Sequence, residues 1–382
     1  MDRIQVQKPA APKPASQPKS KKDEKPPVKT RYGYDARDCV KSLQEVLAQT
    51  GPSATGKALH YTADLVCSGG FEIWIRLIWS FVFQHVHLAS LRIFVFLLEK
   101  TKDLEGRTSS ALDMEALYRD PEFQQKLAEV VLVVQTLPRQ GKVTWPKVPE
   151  DTHQATWIQS IPSVKESEAV MKVWSLQNDD TILRRVGNQI LQACEEVNIE
   201  KALFWLRWLL EEDKKVRAQG TGYTLTTSRR SGGLTQKADK AEVGYFIAAV
   251  LAEAYKDLAR RSLIRMHEEF QSLIDLWRGK QARLTSKQKQ ECLALMILVI
   301  SEVPRWRVPA AQPLIKDPIV MSRAIQQSVR FFQEVVQKTP VAPVISKDIT
   351  GTYKKPKTAD KPTTMEDQMR LMDEMVMAFI SR

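Results

Sequence analysis

The chain has 382 residues, of which 43% are hydrophobic and 27% charged, so it is long enough for one large or two ordinary folded units and disorder throughout is excluded. The net charge of +12 is unevenly placed. Residues Met1–Arg31 hold nine Lys or Arg against three acids, Lys338–Pro362 six against two, and Thr363–Arg382 two against four. Of the twelve excess charges, six fall in the first segment and four in the second, and the last takes two away; the body, residues 32–337, is therefore left with +4. A basic groove running the length of the body is excluded on that balance, although a patch confined to one face is not.

Taken in chain order, Gln7–Lys29 is a proline-lysine low-complexity arm with almost nothing to bury, expected to be extended and disordered in isolation. Asp35 caps a predicted helix running toward Gly51. "GPSATGKA" (Gly51–Ala58) has the phosphate-loop spacing, but Ala58 replaces the hydroxyl that would ligate magnesium and no strand precedes it; a helix-terminal Gly51 is the simpler reading. Phe71–Lys100 is the most apolar region, yet the uncharged run between Arg76 and Arg92 is too short for the roughly 20 residues of a membrane span, and a helix buried in protein is expected. His85 and His87, two apart, would face different sides of a helix and lack a third ligand; no metal or cofactor is expected.

Asp120-Pro121 and Asp317-Pro318 each read as a helix start, as do the capping boxes Ser163/Glu166 and Thr285/Gln288. Residues 138–154 interrupt the helical pattern with prolines and polar residues and read as a linker between an N-terminal helical subdomain (32–137) and a main helical domain (155–337). Three long helices are predicted in the second half: Lys237–Arg260, Ser262–Arg278 with a stop at Gly279, and Ser286–Val303. "GYTLTT" (Gly222–Thr227) is the main strand-like candidate, and Arg229 and Arg230 in the loop after it could grip a phosphate, with an exposed loop as the plainer alternative. His267 beside Glu268 and Glu269 lacks the H-E-x-x-H spacing of a metalloprotease. The predicted fold is all-α, an irregular helical bundle with extended basic arms and a short C-terminal amphipathic helix.

Cys39, Cys67, Cys194 and Cys292 are widely spaced, no signal peptide precedes them, and a reduced intracellular setting is expected. Residues 338–362 form a second proline-lysine linker, after which Met365, Met369, Met372, Val376 and Phe379 recur at helical spacing (363–382), a flexible apolar face suited to docking on a partner, with folding back onto the chain's own body as the alternative. Partner contacts are therefore expected at those five residues and at the arm lysines Lys8, Lys13, Lys19, Lys21, Lys22, Lys354, Lys355 and Lys357. In "KALFWLRWLLEEDKK" (Lys201–Lys215), Trp205 and Trp208 share a helix face with leucines, a pattern that reads as core wall; an aromatic platform for bases would need more interleaved Arg or Lys than Arg207 alone.

"ALFWLRWLLEEDKK", followed by "YFIAAVLAEAYKDLARR", "FQSLIDLWRGK" and "LTSKQKQECLALMILVISEVP", resembles an all-helical protein family encoded by nucleocytoplasmic large DNA viruses, over roughly Asp179–Pro304. The resemblance implies a viral origin and a place in or near the particle, with assembly in the host cytoplasm. It carries no catalytic residues to this chain. The expected role is a non-enzymatic minor capsid component that cements neighbouring capsid proteins. The alternative is a packaging protein whose arms neutralise nucleic-acid phosphates. An enzyme using Gly51–Lys57 or the arginine loop is the third class.

Overall fold

The computed structural model describes residues 28–230, 241–261, 268–278, 284–302, 314–345, 347 and 349. Among them the protein is all-α: fourteen α-helices and no strand. In chain order the helices are α1 (Ala36–Ala48), α2 (Pro52–Cys67), α3 (Phe71–His85), α4 (Arg92–Ser110), α5 (Met114–Arg119), α6 (Pro121–Thr136), α7 (Ala155–Gln159), α8 (Glu168–Val173), α9 (Thr181–Glu195), α10 (Ile199–Ala218), α11 (Val243–Arg260), α12 (Glu268–Arg278), α13 (Ser286–Ser301) and α14 (Pro318–Val336). Short 3-10 turns occupy His87–Ser90 and Glu150–His153.

Several helix starts follow from local chemistry. The carboxylates of Asp35, Asp120 and Asp317 accept the orphan amides of Arg37, Glu122 and Ile319 at 2.8, 3.0 and 3.0 Å, and Pro121 and Pro318 sit where a missing N–H costs nothing. Thr285 and Gln288 close a reciprocal capping box on α13. The Ser163/Glu166 box does not form: residues 161–167 are non-helical, the Ser167 amide donates to Asn188 Oδ1 at 2.9 Å, and Glu166 pairs with Arg184. The Glu166 carboxylate that a box would have used is on Arg184 instead.

The apolar stretch 71–100 is two helices instead of one. Chain direction changes at His87, whose φ of +24° leaves helical space. The corner is held from outside by the Gln140 amide, which donates to the His85 carbonyl at 2.7 Å, and by His87 Nε2, which donates to the Gly141 carbonyl at 2.7 Å. Helix α3 is buried on almost every side, from Phe71 and Trp74 to Phe83, as befits a central helix. Among the described residues no helix is long and apolar enough to cross a membrane.

Packing radiates from this centre. Helix α3 lies on α1, α2 and α13; α2 and α6 carry α14; α4 carries α12; and α13 touches α9, α10 and α11. The buried side chains form one continuous cluster from Ala36 to Val344. Helices from 32–137 and 155–337 therefore share packing surfaces, and residues 138–154 are strapped to both: Gln140 and Gly141 to the α3 corner, Pro146 by its carbonyl to Arg207 Nη1 at 2.9 Å, and Thr152 by its carbonyl to Trp208 Nε1 at 3.1 Å.

The two ends of the body meet at the C-terminal end of α2. There the Gly69 and Gly70 amides donate to the Val66 and Leu65 carbonyls, both at 2.9 Å, in a Schellman arrangement with Gly69 at φ +82°. Residues 28–35 turn back on themselves: the Ala36 amide donates to the Val28 carbonyl, the Thr30 amide to the Tyr34 carbonyl, and Arg31 donates its amide to Ser68 Oγ at 2.9 Å. Residues 28–31, expected in the arm, thus belong to the body, with Thr30 and Arg31 buried and Arg31 ion-paired to Glu115. From the other end, residues 338–345, expected to open a linker, run past the same turn: the Val344 amide donates to the Ser68 carbonyl at 2.9 Å, and the Val344 side chain is 1% exposed.

Gly69 is required twice at this junction. Its φ suits glycine, and a Cβ built on it would lie 2.8 Å from Pro343. Gly69→Ala is predicted to cost about 2–4 kcal/mol, combining backbone strain with displacement of the Val344 segment. Denaturant unfolding checks the cost, and limited proteolysis should show faster cleavage after Lys338. An unchanged midpoint with unchanged cleavage would contradict the double requirement.

Candidate functional site

The structure consumes most of the motif-level candidates. Gly51 stands at the N-cap of α2, three residues past the end of α1, with φ +106°; it begins a helix instead of ending one. Gly56 and Lys57 lie inside α2 with the Lys57 side chain exposed, and the element before Gly51 is the helix α1, with no strand. No phosphate-cradling loop is built from them.

On α10, Trp205 and Trp208 are 6% and 0% exposed within this chain. The helix starts at Asn198, whose side chain accepts the Lys201 amide at 3.0 Å. One face then receives Trp157 of α7, with ring centroids 5.8 Å from Trp205 and 5.6 Å from Trp208, while His153 stacks on Trp208 at 5.4 Å and 7°. His153 Nδ1 and Glu212 Oε2 are 2.5 Å apart. The tryptophan pair is therefore a wall that clamps the 146–157 segment, with the Trp208 indole N–H donating to the Thr152 carbonyl. Trp208→Ala is predicted to cost about 3–5 kcal/mol, since it opens a cavity and leaves the Thr152 carbonyl unpaired. Trp208→Phe should lose only about 1–2 kcal/mol. Denaturant unfolding of the two variants checks this, and a cost below about 1 kcal/mol for the alanine variant would remove the wall assignment.

The arginine loop is also committed inward. Arg230 forms an ion pair with the buried Asp179, its Nη1 donates to Thr226 Oγ1 at 2.9 Å, and its guanidinium lies 5.0 Å from the Phe246 ring centroid. Thr226 Oγ1 donates to the other Asp179 oxygen at 2.5 Å. Arg230 is thus not available to a phosphate, whereas Arg229 is exposed. The strand-like Gly222–Thr227 contributes one isolated antiparallel bridge, Asp179 with Thr226. Of the histidines, His85 stacks on Phe81 at 4.9 Å and burial lowers its pKa, while His87 is spent on Gly141. Among the described residues no group of three or more His, Cys, Asp or Glu side chains could hold a metal ion.

The four cysteines are buried and free. Burial pushes the Cys67, Cys194 and Cys292 thiols up to about 12 and raises Cys39 as well, which makes each a poor thiolate. A cleft of about 280 Å³ lies beside Gly69, lined by Phe71, Ile75, Arg76, Glu105 and Tyr118 among others. His267, Gly279, the lysines Lys8, Lys13, Lys19, Lys21, Lys22, Lys354, Lys355 and Lys357, and Met365, Met369, Met372, Val376 and Phe379 lie outside the described residues.

What motif reading did not find is the junction where the arms are rooted. Tyr32 and Tyr34, on the turn that leads into α1, are 36% and 37% exposed and stack at 5.4 Å. His60 meets Tyr32 edge-on at 4.5 Å, and Tyr61 meets Tyr34 at 5.8 Å. The Tyr32 hydroxyl donates to Glu334 Oε1 at 2.9 Å, and Lys338 Nζ sits 5.2 Å from the Tyr32 ring centroid. Beneath them the buried Asp64 accepts the Tyr32 amide at 2.9 Å, and Cys39 Sγ lies 3.9 Å from its other oxygen. The only sequence signal was the density of Tyr, His and Gly around residues 30–34 and 60–70, which has no motif form.

No protein-family model, curated protein or solved structure matches the chain.

Burial raises the Asp64 pKa, outweighing the lowering by the Thr30 side chain, the Tyr32 amide, His60 and Arg31. A raised folded value means that stability from this group is fully present below the unfolded value and is lost as pH rises through the folded one. Asp64→Asn retains an acceptor for Tyr32 and removes the charge. Its stability relative to wild type is therefore predicted to rise as pH increases from the ordinary aspartate value of about 4 toward the raised folded one. Paired unfolding curves across that range check this, and a pH-independent difference would contradict it.

Proposed function

We propose that this chain is a non-enzymatic structural protein of a large DNA virus particle, a minor capsid component that cements neighbouring capsid proteins through its arms and helical body. The observation that carries the reading is the way the arms are rooted. Each basic segment continues from a stretch hydrogen-bonded to Ser68, so a pull on either arm is transmitted through backbone hydrogen bonds and the Val344 anchor to the central helices. Burial of that valine alone is worth about 1.5–3 kcal/mol. A protein whose work is to hold others needs such roots, because an arm that peels from its own body transmits no restraint.

The chemistry of the arms supports the same role. Lysines interspersed with prolines put positive charge on segments with little to bury, a composition suited to contact with acidic surfaces of neighbours. The methionines of the last twenty residues add an apolar face that a groove on a capsid protein would bury.

The test is lysine-directed cross-linking with mass spectrometry on the native assembly, reading where Lys8, Lys13, Lys19, Lys354 and Lys357 land. Reproducible links to one or two capsid proteins are expected. A purified shell that lacks this protein, or that keeps its full stability without it, would sink the reading.

A further inference from the structure

Segment 146–157 lies on α10 with His153 at its centre. The His153 side chain is 6% exposed and its ring is stacked on Trp208. Both ring nitrogens face carboxylates of α10: Nδ1 lies 2.5 Å from Glu212 Oε2, and Nε2, which has no hydrogen-bond partner, lies 3.9 Å from Glu211 Oε2. Glu212 is itself buried, and its carboxylate has His153 as its hydrogen-bond partner among the described residues. The other charged or titratable groups around the pair are committed elsewhere. Arg207 holds Glu211 Oε1 at 2.7 Å and the Pro146 carbonyl at 2.9 Å. The Tyr223 hydroxyl, which feels the Glu212 charge, donates to Asp180. Glu150 and Asp151, on the same 3-10 turn as His153, are exposed acids. Of these groups only His153 presents Glu212 with a proton.

A buried carboxylate matched only by a neutral donor is a charge without a counter-charge in a low-dielectric interior, and that arrangement is costly. One shared proton removes the cost, whether it is counted as imidazolium beside carboxylate or as imidazole beside carboxylic acid, because the two sites titrate as a pair. An imidazolium also turns Nε2 from a lone pair facing Glu211 into a donor, and it lays a positive charge on the Trp208 face. When the segment lifts from α10, both groups meet water and the preference for the proton is gone. We infer that the His153–Glu212 pair is a proton-set latch: with the shared proton in place it locks segment 146–157 onto α10, and loss of that proton lets the segment lift and uncovers the faces of Trp205 and Trp208. The closed state holds the proton more tightly than the open one. Latch stability is therefore fully present below the ordinary histidine value of about 6.5 and is lost as pH rises through the value of the closed pair. The latch belongs to the body alone and stands apart from the capsid assignment.

The test is hydrogen exchange with mass spectrometry on the wild-type full-length chain from about pH 6 to about pH 9, corrected for the intrinsic pH dependence of exchange. The reporter is the peptide carrying the hydrogen-bonded amides of Thr152, Gln154 and Ile158. Its protection factors should fall as pH rises above the ordinary histidine value, by up to about tenfold per pH unit for a one-proton latch. Amides of α4, which packs on α5, α6 and α12, should keep constant protection. Glu212→Gln retains an acceptor for His153 Nδ1 and removes the charge that demands the proton, so the slope should flatten. His153→Gln should flatten it as well.

The wild-type slope is read without either variant, so the latch stays falsifiable even where a substitution prevents folding. Protection of the reporter peptide that is constant or rises with pH, an equal fall in α4, or the full wild-type slope in Glu212→Gln would each overturn the inference.

Discussion

At the end of α2 one residue, Ser68, holds both ends of the body. Its hydroxyl accepts the Arg31 amide and donates to the Asp64 carbonyl, and its own carbonyl accepts the Val344 amide. The geometry follows from how a helix must stop. The last carbonyls of α2 need donors; Gly69 in left-handed conformation lets the Gly69 and Gly70 amides supply them, and the turn this creates leaves Ser68 facing two passing chains. Without that turn the first and last segments would have no common support, and the buried side chains of Thr30, Arg31 and Val344 would be exposed.

A second constraint is the cost of burying polar groups, which explains why motif-like residues turn out to be structural. Asp179 is buried and is matched by Arg230, Thr226 and the Ser175 amide. His153 is matched by Glu212 and stacked on Trp208. Removing one member of such a set strands the others in a low-dielectric interior, so each set fixes how one segment docks on another. Segment 138–154 is the clearest product: hydrogen bonds at Gln140, Gly141, Pro146 and Thr152 strap it between the α3 corner and α10.

Much of the fold was legible where the determining chemistry is local. Asp35, Asp120, Asp317 and the Thr285/Gln288 pair start helices because the groups they satisfy are two or three residues away. Trp205 and Trp208 read correctly as a wall because leucines repeat around them at helical spacing. Ser163/Glu166 has the same local form and does not form a box: the Glu166 carboxylate pairs with Arg184, distant in sequence, and Asn188 holds the next amide, that of Ser167. The break at His87 and the inward turn of Arg230 were illegible for the same reason: each is set by a partner dozens of residues away, Gly141 in one case and Asp179 in the other. The junction at Ser68 is the extreme case, since neither the turn at 30–33 nor the segment around Val344 carries any hydrophobic period to announce its docking.

The central claim is that both basic arms start from one pole, and a distance between the roots tests it most directly. Spin labels at Lys29→Cys and Ile345→Cys would lie on exposed positions, while the four native cysteines are buried. Each root is within two residues of an amide bound to Ser68, which limits their backbone separation to about 25 Å. Pulsed dipolar spectroscopy on the full-length chain should therefore give a single short distance distribution, consistent with that limit plus the label linkers. A broad distribution centred well beyond about 40 Å would show that the ends do not meet at α2, and the account of a shared root would fail.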